Sequence, residues 1–437
     1  MPTSCHRFSA PGGLARKVSA LVASTPGRLA RLVVRLDQAT VARTPRTTWA
    51  TRLAERIDPR FRACWLLMDR DTEAHDNAEH LYRHLSTERP DINAWFVLGR
   101  TSPDWPRLEA DGFRLVAHGS LRHVVALAQC RELVSSQIDH YVISPPAMAW
   151  LRRRPWWFTW LQHGVIQSDL SGWLAGKRAR TVVTTTPAEH RSLTRPPYTW
   201  TEREVVLTGQ PRHDALVRQA AATPDDERRL VVVMPTWRTW LLTGSGIGNA
   251  RVPVPGFADS EYVRSWRGLL ASTAVHEAAR RHGLEVVLMP HPNMAPHVAA
   301  MGIPDGVRVL TYADDVQQVL ARASHVVTDY SSNAFDAALV ERPLLYFQFD
   351  FDRLHSGHIG APGYFDYVRD GFGPVARTSS DAERLLVELI DAGKAPAEPY
   401  STRIRETFTR RDGHACERVV AEILAHRSSA PRDGAGR

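Results

Sequence analysis

Two doubly wound α/β domains facing a central cleft are the fold class this sequence predicts. Three observations carry that prediction. From residue 60 onward, short apolar runs alternate with helical stretches, the pattern of parallel βαβ units. Midway, the polar stretch RQAAATPDDERR (218–229) interrupts the alternation, which resumes beyond it. The length, 437 residues, gives room for two or three domains with sizeable cores.

In chain order, CWLLMD (64–69) reads as a buried strand, and EAHDNAEHLYRHLS (73–86) as a helix starting near Asp76 or Asn77. NAWFVLG, FRLVAHG and ELVSSQ follow as strands. The strand-loving aromatics of WFTW (157–160) stop at Gln162-His163-Gly164. RTVVTTTPAEHRSL is a strand, then a helix with Pro187 in its first turn, and EVVLTGQPRHDAL repeats the scheme. Beyond the linker come LVVVMPTW, one long helix around 259–281, EVVLMPHP, VRVLTY, a helix around 314–322, HVVTDYSS, a helix around 332–341, and PLLYFQFD. The division expected is a basic segment 1–60, a first α/β domain 61–220, a second 230–425 and a frayed tail 426–437.

Composition narrows the class. Hydrophobic residues make up 43% and charged residues 23%, ordinary values for a soluble protein, and no run of 18 apolar residues suggests a spanning helix. No apolar stretch with a small-residue cleavage site opens the chain, so no secretory signal is read. Cys5, Cys64, Cys130 and Cys416 are scattered without a CxxC pair, which argues against a disulfide framework or thiolate zinc and for a reducing cytosolic compartment.

The net charge is +8, and residues 1–60 account for all of it with eleven Lys/Arg against three acids. The neutral body therefore implies no nucleic-acid partner. Within the basic segment, RLARLVVRLD sets Arg28, Arg31 and Arg35 against Leu29, Leu32, Val33 and Leu36. Such a helix can lie on an anionic membrane surface or pack its apolar face on the body.

Chemistry concentrates at strand ends. LVVVMPTWR delivers Thr236, Trp237 and Arg238; VVLMPHPN delivers His291; HVVTDYSS delivers Asp329, Ser331 and Ser332. In a parallel sheet all three open at one rim, with His163 of the other half facing them. Singly, a histidine can be a satisfied structural residue, and Asp329 with the serines can simply cap the next helix. Together they suggest a phosphate site: a helix N-terminus with Ser331 and Ser332 hydroxyls, Arg238 as a bidentate cation and His291 as a further donor. No GxxxxGK[ST], usable GxGxxG, HExxH or GxSxG is present. The HDN at 75–77 reads as part of a helix start. No carboxylate cluster has hard-ion spacing, so neither metal nor cofactor is expected.

LQHGVIQSDLSGWL, LTGQPRHDAL, MPTWR, MPHP and VTDYSSNAFDAALVERPLLYFQFD stand in the order of the motifs of the CDP-glycerol glycerophosphotransferase family, the teichoic-acid and capsule polymerases, which this chain resembles from about residue 62 to 425. DRDTEAHDNAEHLYRHL, GYFDYVRDGFGPV and RRDGHACERVVAEIL are similar to that family as well. The resemblance implies a GT-B-like fold and transfer of a polyol phosphate, glycerol phosphate first among them, from a CDP-polyol to a cell-wall or capsule polymer. It implies a lipid-linked acceptor and a place at the cytoplasmic face of the membrane, peripheral to it. By the same resemblance His163 corresponds to the base, and His291, Ser331 and Ser332 to groups at the donor pyrophosphate. Gln162 and Val165 stand where many members have Trp and Thr around the HG pair. Two other readings remain open on the residues: a GT-B glycosyltransferase using a nucleotide sugar, and a non-enzymatic membrane or polyanion binder.

Overall fold

The structure, a computed structural model, describes residues 49–143, 145, 154–244, 251–311, 314–357 and 362–428. RLARLVVRLD and the tail after residue 428 lie outside the described residues.

Seven strands form the first sheet: β1 (Trp65–Met68), β2 (Ala94–Leu98), β3 (Leu115–Ala117), β4 (Glu132–Ser135), β5 (Trp157–Trp160), β6 (Thr181–Thr184) and β7 (Val205–Leu207). Their order is β3-β2-β1-β4-β5-β6-β7, and every pairing is parallel. Helices cover both faces, so β1, β2 and β4 are buried at every position and read as continuous apolar runs rather than alternating ones. Leu66 and Met68 enter one core and Trp65 and Leu67 the other.

The second half opens with β8 (Leu230–Met234). A short antiparallel ribbon follows, β9 (Leu242–Thr243) with β10 (Val252–Pro253), and then β11 (Glu285–Leu288), β12 (Arg308–Val309), β13 (Ala323–Thr328), β14 (Leu344–Phe347) and β15 (Val375–Ala376). The second sheet is parallel, in the order β12-β11-β8-β13-β14-β15. Two doubly wound parallel sheets are the GT-B-like arrangement. Each sheet reverses its winding between two strands, β1 and β4 in the first and β8 and β13 in the second. Crevices at those reversals are where such sheets bind ligands.

Two differences from the sequence reading matter. The single helix expected at 259–281 is two, Glu261–Leu270 and Thr273–Arg281, because Ser272 caps the second by accepting from Val275 N. The last helix, Ala415–Ser428, was expected with the second half but packs on the first: Asp214 accepts the N–H groups of Ala415 and Cys416, and Cys416, Val419, Val420 and Ile423 join the core around Leu81. Conversely, the first half's helix Arg212–Ala222 buries Leu216 in the second half's core. The two halves thus each hold a helix that completes the other.

Candidate active site

β5 ends at a left-handed residue. Gln162 has φ 63°, fully buried, and its amide substitutes for the ladder: Nε2 donates to Val183 O on β6 at 2.6 Å. Its carbonyl accepts from Asn77 Nδ2 at 2.9 Å. The reversal turns His163 outward, its side chain 59% exposed. The ring Nδ1 meets the Asp76 carboxylate. Asp76 caps the helix Asn77–Glu88, its Oδ1 accepting from Asn77 N at 2.8 Å. Burial opposes its charge, but His163 and Arg212 hold the carboxyl well below the usual range. Beneath it, burial and the Asp76 charge push Asp69 up to about 8.

The second half delivers its residues from β8, β11 and β13. Asp329, fully buried, accepts from Thr236 N at 2.9 Å and Tyr330 N at 2.7 Å, and pairs with Arg238 at 2.7 Å. Arg238 is fully buried and also holds Asp350 at 2.7 Å and Thr236 O at 2.7 Å. Burial opposes this guanidinium too, yet its carboxylate partners raise its pKa. The structure therefore places Arg238 differently from the expected phosphate cation: it neutralises two buried carboxylates and fixes the loops after β8 and β13. Asp329 is a loop-ordering group for the same reason. Thr236 Oγ1 is buried without a hydrogen-bond partner among the described residues. His291, half-buried, accepts from Asn293 N at 3.1 Å, and its ring lies 6.2 Å from that of Trp237. Ser331 Oγ accepts from Asn333 N at 3.2 Å, and Ser332 leads the helix Asn333–Leu339.

The two rims touch at the predicted residues. A Cβ placed on Gly164 would lie 2.3 Å from Ser332 Oγ, so only glycine admits this approach without displacement. Gln167 Nε2 donates to Tyr330 O at 2.6 Å. Arg212 reaches Asp76 at 2.9 Å with one nitrogen and Asp336 at 2.9 Å with the other, and His213 holds Asp336 at 2.9 Å. His163 and the serine turn are thus brought together, while Thr236, Asp329 and Arg238 form a scaffold behind the turn. Sequence reasoning read Asp76 only as part of a helix start and gave no role to Arg212, His213 or Asp336, although all four lie inside quoted motifs: HDN, PRHDAL and NAFDAAL.

Beside this contact, a groove of about 590 Å³ runs between the halves. Thr186, Arg191, Arg195 and Tyr198 line it on one side and Tyr364 and Arg369 on the other. No group of three His, Cys, Asp or Glu placed to hold a metal ion occurs among the described residues.

The family described as CDP-Glycerol:Poly(glycerophosphate) glycerophosphotransferase matches residues 54–425. The chain belongs to this family. Among curated relatives, the minor teichoic acid biosynthesis protein GgaB of Bacillus subtilis (strain 168) is 26% identical over 366 residues, 82% of this chain and 39% of that protein. The teichoic acid poly(ribitol-phosphate) polymerase of Bacillus spizizenii is 29% identical over 119 residues, 27% of this chain and 18% of the relative. The chain therefore spans well under half the length of these glycerophosphotransferase-family relatives. In fold, it is similar to the wall teichoic acid polymerase TagF, with a TM-score of 0.57 at 14% identity, covering 92% of this chain and 100% of that one. A UDP-N-acetylglucosamine 2-epimerase shares the fold with a TM-score of 0.51 at 11% identity, over 86% of this chain and 99% of that one.

Proposed function

We propose that this glycerophosphotransferase-family protein moves a polyol phosphate, glycerol phosphate first among the candidates, from a CDP-polyol to a hydroxyl of a membrane-linked cell-wall or capsule polymer. The observation that carries this reading is the contact of Gly164 with Ser332, which sets the exposed His163 of one half beside the serine turn of the other.

An acceptor hydroxyl is a poor nucleophile until its proton leaves, and an imidazole suits that task near neutral pH. In this reading His163 takes the proton as the hydroxyl oxygen attacks the polyol-side phosphorus. The bond from that phosphorus to the bridging oxygen breaks, and CMP departs with the electron pair. Charge growing on the phosphates needs fixed donors. Ser331, Ser332 and His291 supply them in this reading, with Thr236, Arg238 and Asp329 holding their loops rigid. A CDPG-soaked TagF structure shares the fold at a TM-score of 0.55 and 14% identity, which supports CDP-glycerol as the first donor to try.

The acceptor chain is assigned to the groove, where Arg191, Arg195 and Arg369 would meet its repeating phosphates. The acceptor itself is placed at the inner face of the membrane. The charge of residues 1–60 supports a peripheral contact there. Among the described residues no helix is long and apolar enough to cross a membrane. The test is a donor panel: purified protein, a synthetic amphiphilic acceptor, and CDP-glycerol, CDP-ribitol or UDP-sugars in parallel. CMP release from a CDP-polyol is expected. UDP release with CDP-polyols inert would replace this reading by glycosyl transfer.

A further inference from the structure

We infer that Asp76 is a positioning residue for His163, and that Arg212 extends the pair across the cleft to Asp336, so that the base is aligned only when the two halves are seated together. This rests on the reading of His163 as the base.

A histidine serves as a base through one ring nitrogen, and the partner of the other nitrogen decides which one. Ionised Asp76 can only accept, so the proton sits on Nδ1 and Nε2 is left as the basic nitrogen. His163 is largely exposed, its side chain at 59%, whereas Asp76 is buried and fixed three ways. Asn77 N donates to it, Arg212 pairs with it at 2.9 Å, and its own N–H is tied to Asp69 Oδ2 at 3.1 Å.

Arg212 is buried and makes contacts on both sides. It donates to the His163 carbonyl as well as to Asp76, and its other nitrogen reaches Asp336 at 2.9 Å. Asp336 lies one turn along the helix that Ser332 leads, and His213 closes the chain at 2.9 Å. The order is therefore His163, Asp76, Arg212, Asp336, with the first three in one half and the last on the element carrying the serines. Buried ion pairs add little net stability over apolar replacements, so the Asp76–Arg212–Asp336 chain is a poor way to glue two halves together. It does fix geometry, because the Asp76 carboxylate is shared between His163 and Arg212 and the Asp336 carboxylate between Arg212 and His213.

The test is a double-mutant cycle on turnover. Asp76→Asn is expected to lower kcat about a hundredfold with KM for CDP-glycerol unchanged, since the donor groups are untouched. Asp76→Glu should recover part of the loss. In a His163→Ala background, Asp76→Asn should lower kcat less than threefold further, because the residue it orients is gone. A full additional loss in that background would make Asp76 a general structural residue and overturn the inference. If Asp76→Asn does not fold, NMR of nitrogen-labelled histidine in the wild-type protein reads the tautomer directly. Protonated Nδ1 on His163 supports the inference, and protonated Nε2 overturns it. Wild-type kcat in His163→Ala alone would instead remove the base reading and this inference with it, whereas a large loss there with wild-type kcat in Asp76→Asn would remove only the inference.

Discussion

Gly164→Ala is the smallest change that should separate the two halves at the site. Its Cβ would stand 2.3 Å from Ser332 Oγ and 2.8 Å from Ser332 Cβ. Rotating the serine relieves the first overlap but not the second, because Cβ does not move with its own rotamer. Carbon atoms rest at about 3.5–4.0 Å, so the turns must part by roughly 1 Å. Overpacking of this kind typically costs about 1–3 kcal/mol. A displacement of about 1 Å at a catalytic centre is worth about a hundredfold in rate. Gly164 has no left-handed φ, so the backbone itself tolerates alanine and the fold should persist. The expected result is a loss of about one to two orders of magnitude in CMP release with unchanged far-UV circular dichroism. Adding Ser332→Gly removes both offending atoms and should restore part of the rate, less whatever the hydroxyl contributes to binding. Wild-type turnover in Gly164→Ala would show that the two turns do not meet in the working protein.

Three further outcomes are expected. Arg238→Met strips the cation from buried Asp329 and Asp350 and should lower the urea unfolding free energy by about 3–5 kcal/mol, with donor affinity lost as well; a stable, CDP-binding variant would contradict the scaffold role. Burial raises Glu189 to about 7, so between about pH 4.5 and 7 the folded state holds a proton the unfolded state has released; Glu189 then lowers stability with rising pH by up to about 3 kcal/mol, and Glu189→Gln should lose that share of the slope, leaving the part owed to Asp69, when melting is compared at pH 5 and 8; an unchanged slope would contradict the assignment. Arg191→Glu with Arg195→Glu should raise KM for an anionic polymeric acceptor about tenfold while KM for CDP-glycerol stays put; an unchanged acceptor KM would move the acceptor out of the groove.

The alternation of apolar runs and helices was enough to reveal two parallel sheets, because strands covered on both faces leave unbroken apolar runs such as LVVVM. The polar residues at strand ends were legible for a related reason: a buried strand stops where its chain meets the cleft. The meaning of some of them was not. Arg238 follows a strand end just as a phosphate-binding arginine would, and only the positions of Asp329 and Asp350, 91 and 112 residues away, show that it is internally paired. Asp76 looked like a helix cap and is one; its second role needs His163, 87 residues on, to be beside it. The exchange of helices between the halves was equally hidden, since the apolar face of Ala415–Ser428 does not say which half it covers. Local patterns report burial and capping, whereas partnerships across the cleft depend on tertiary contacts that no local period encodes.

The most direct test of the account is the mass of the acceptor. A synthetic amphiphilic acceptor would be incubated with CDP-glycerol and either the wild-type protein or His163→Ala, then analysed by mass spectrometry alongside released CMP. The account predicts that the wild-type product gains whole glycerol-phosphate units in step with CMP, and that His163→Ala lowers this gain about a hundredfold or more while still binding CDP-glycerol. An acceptor that gains no phosphate from any CDP-polyol, or gains it equally with His163 removed, would contradict the account.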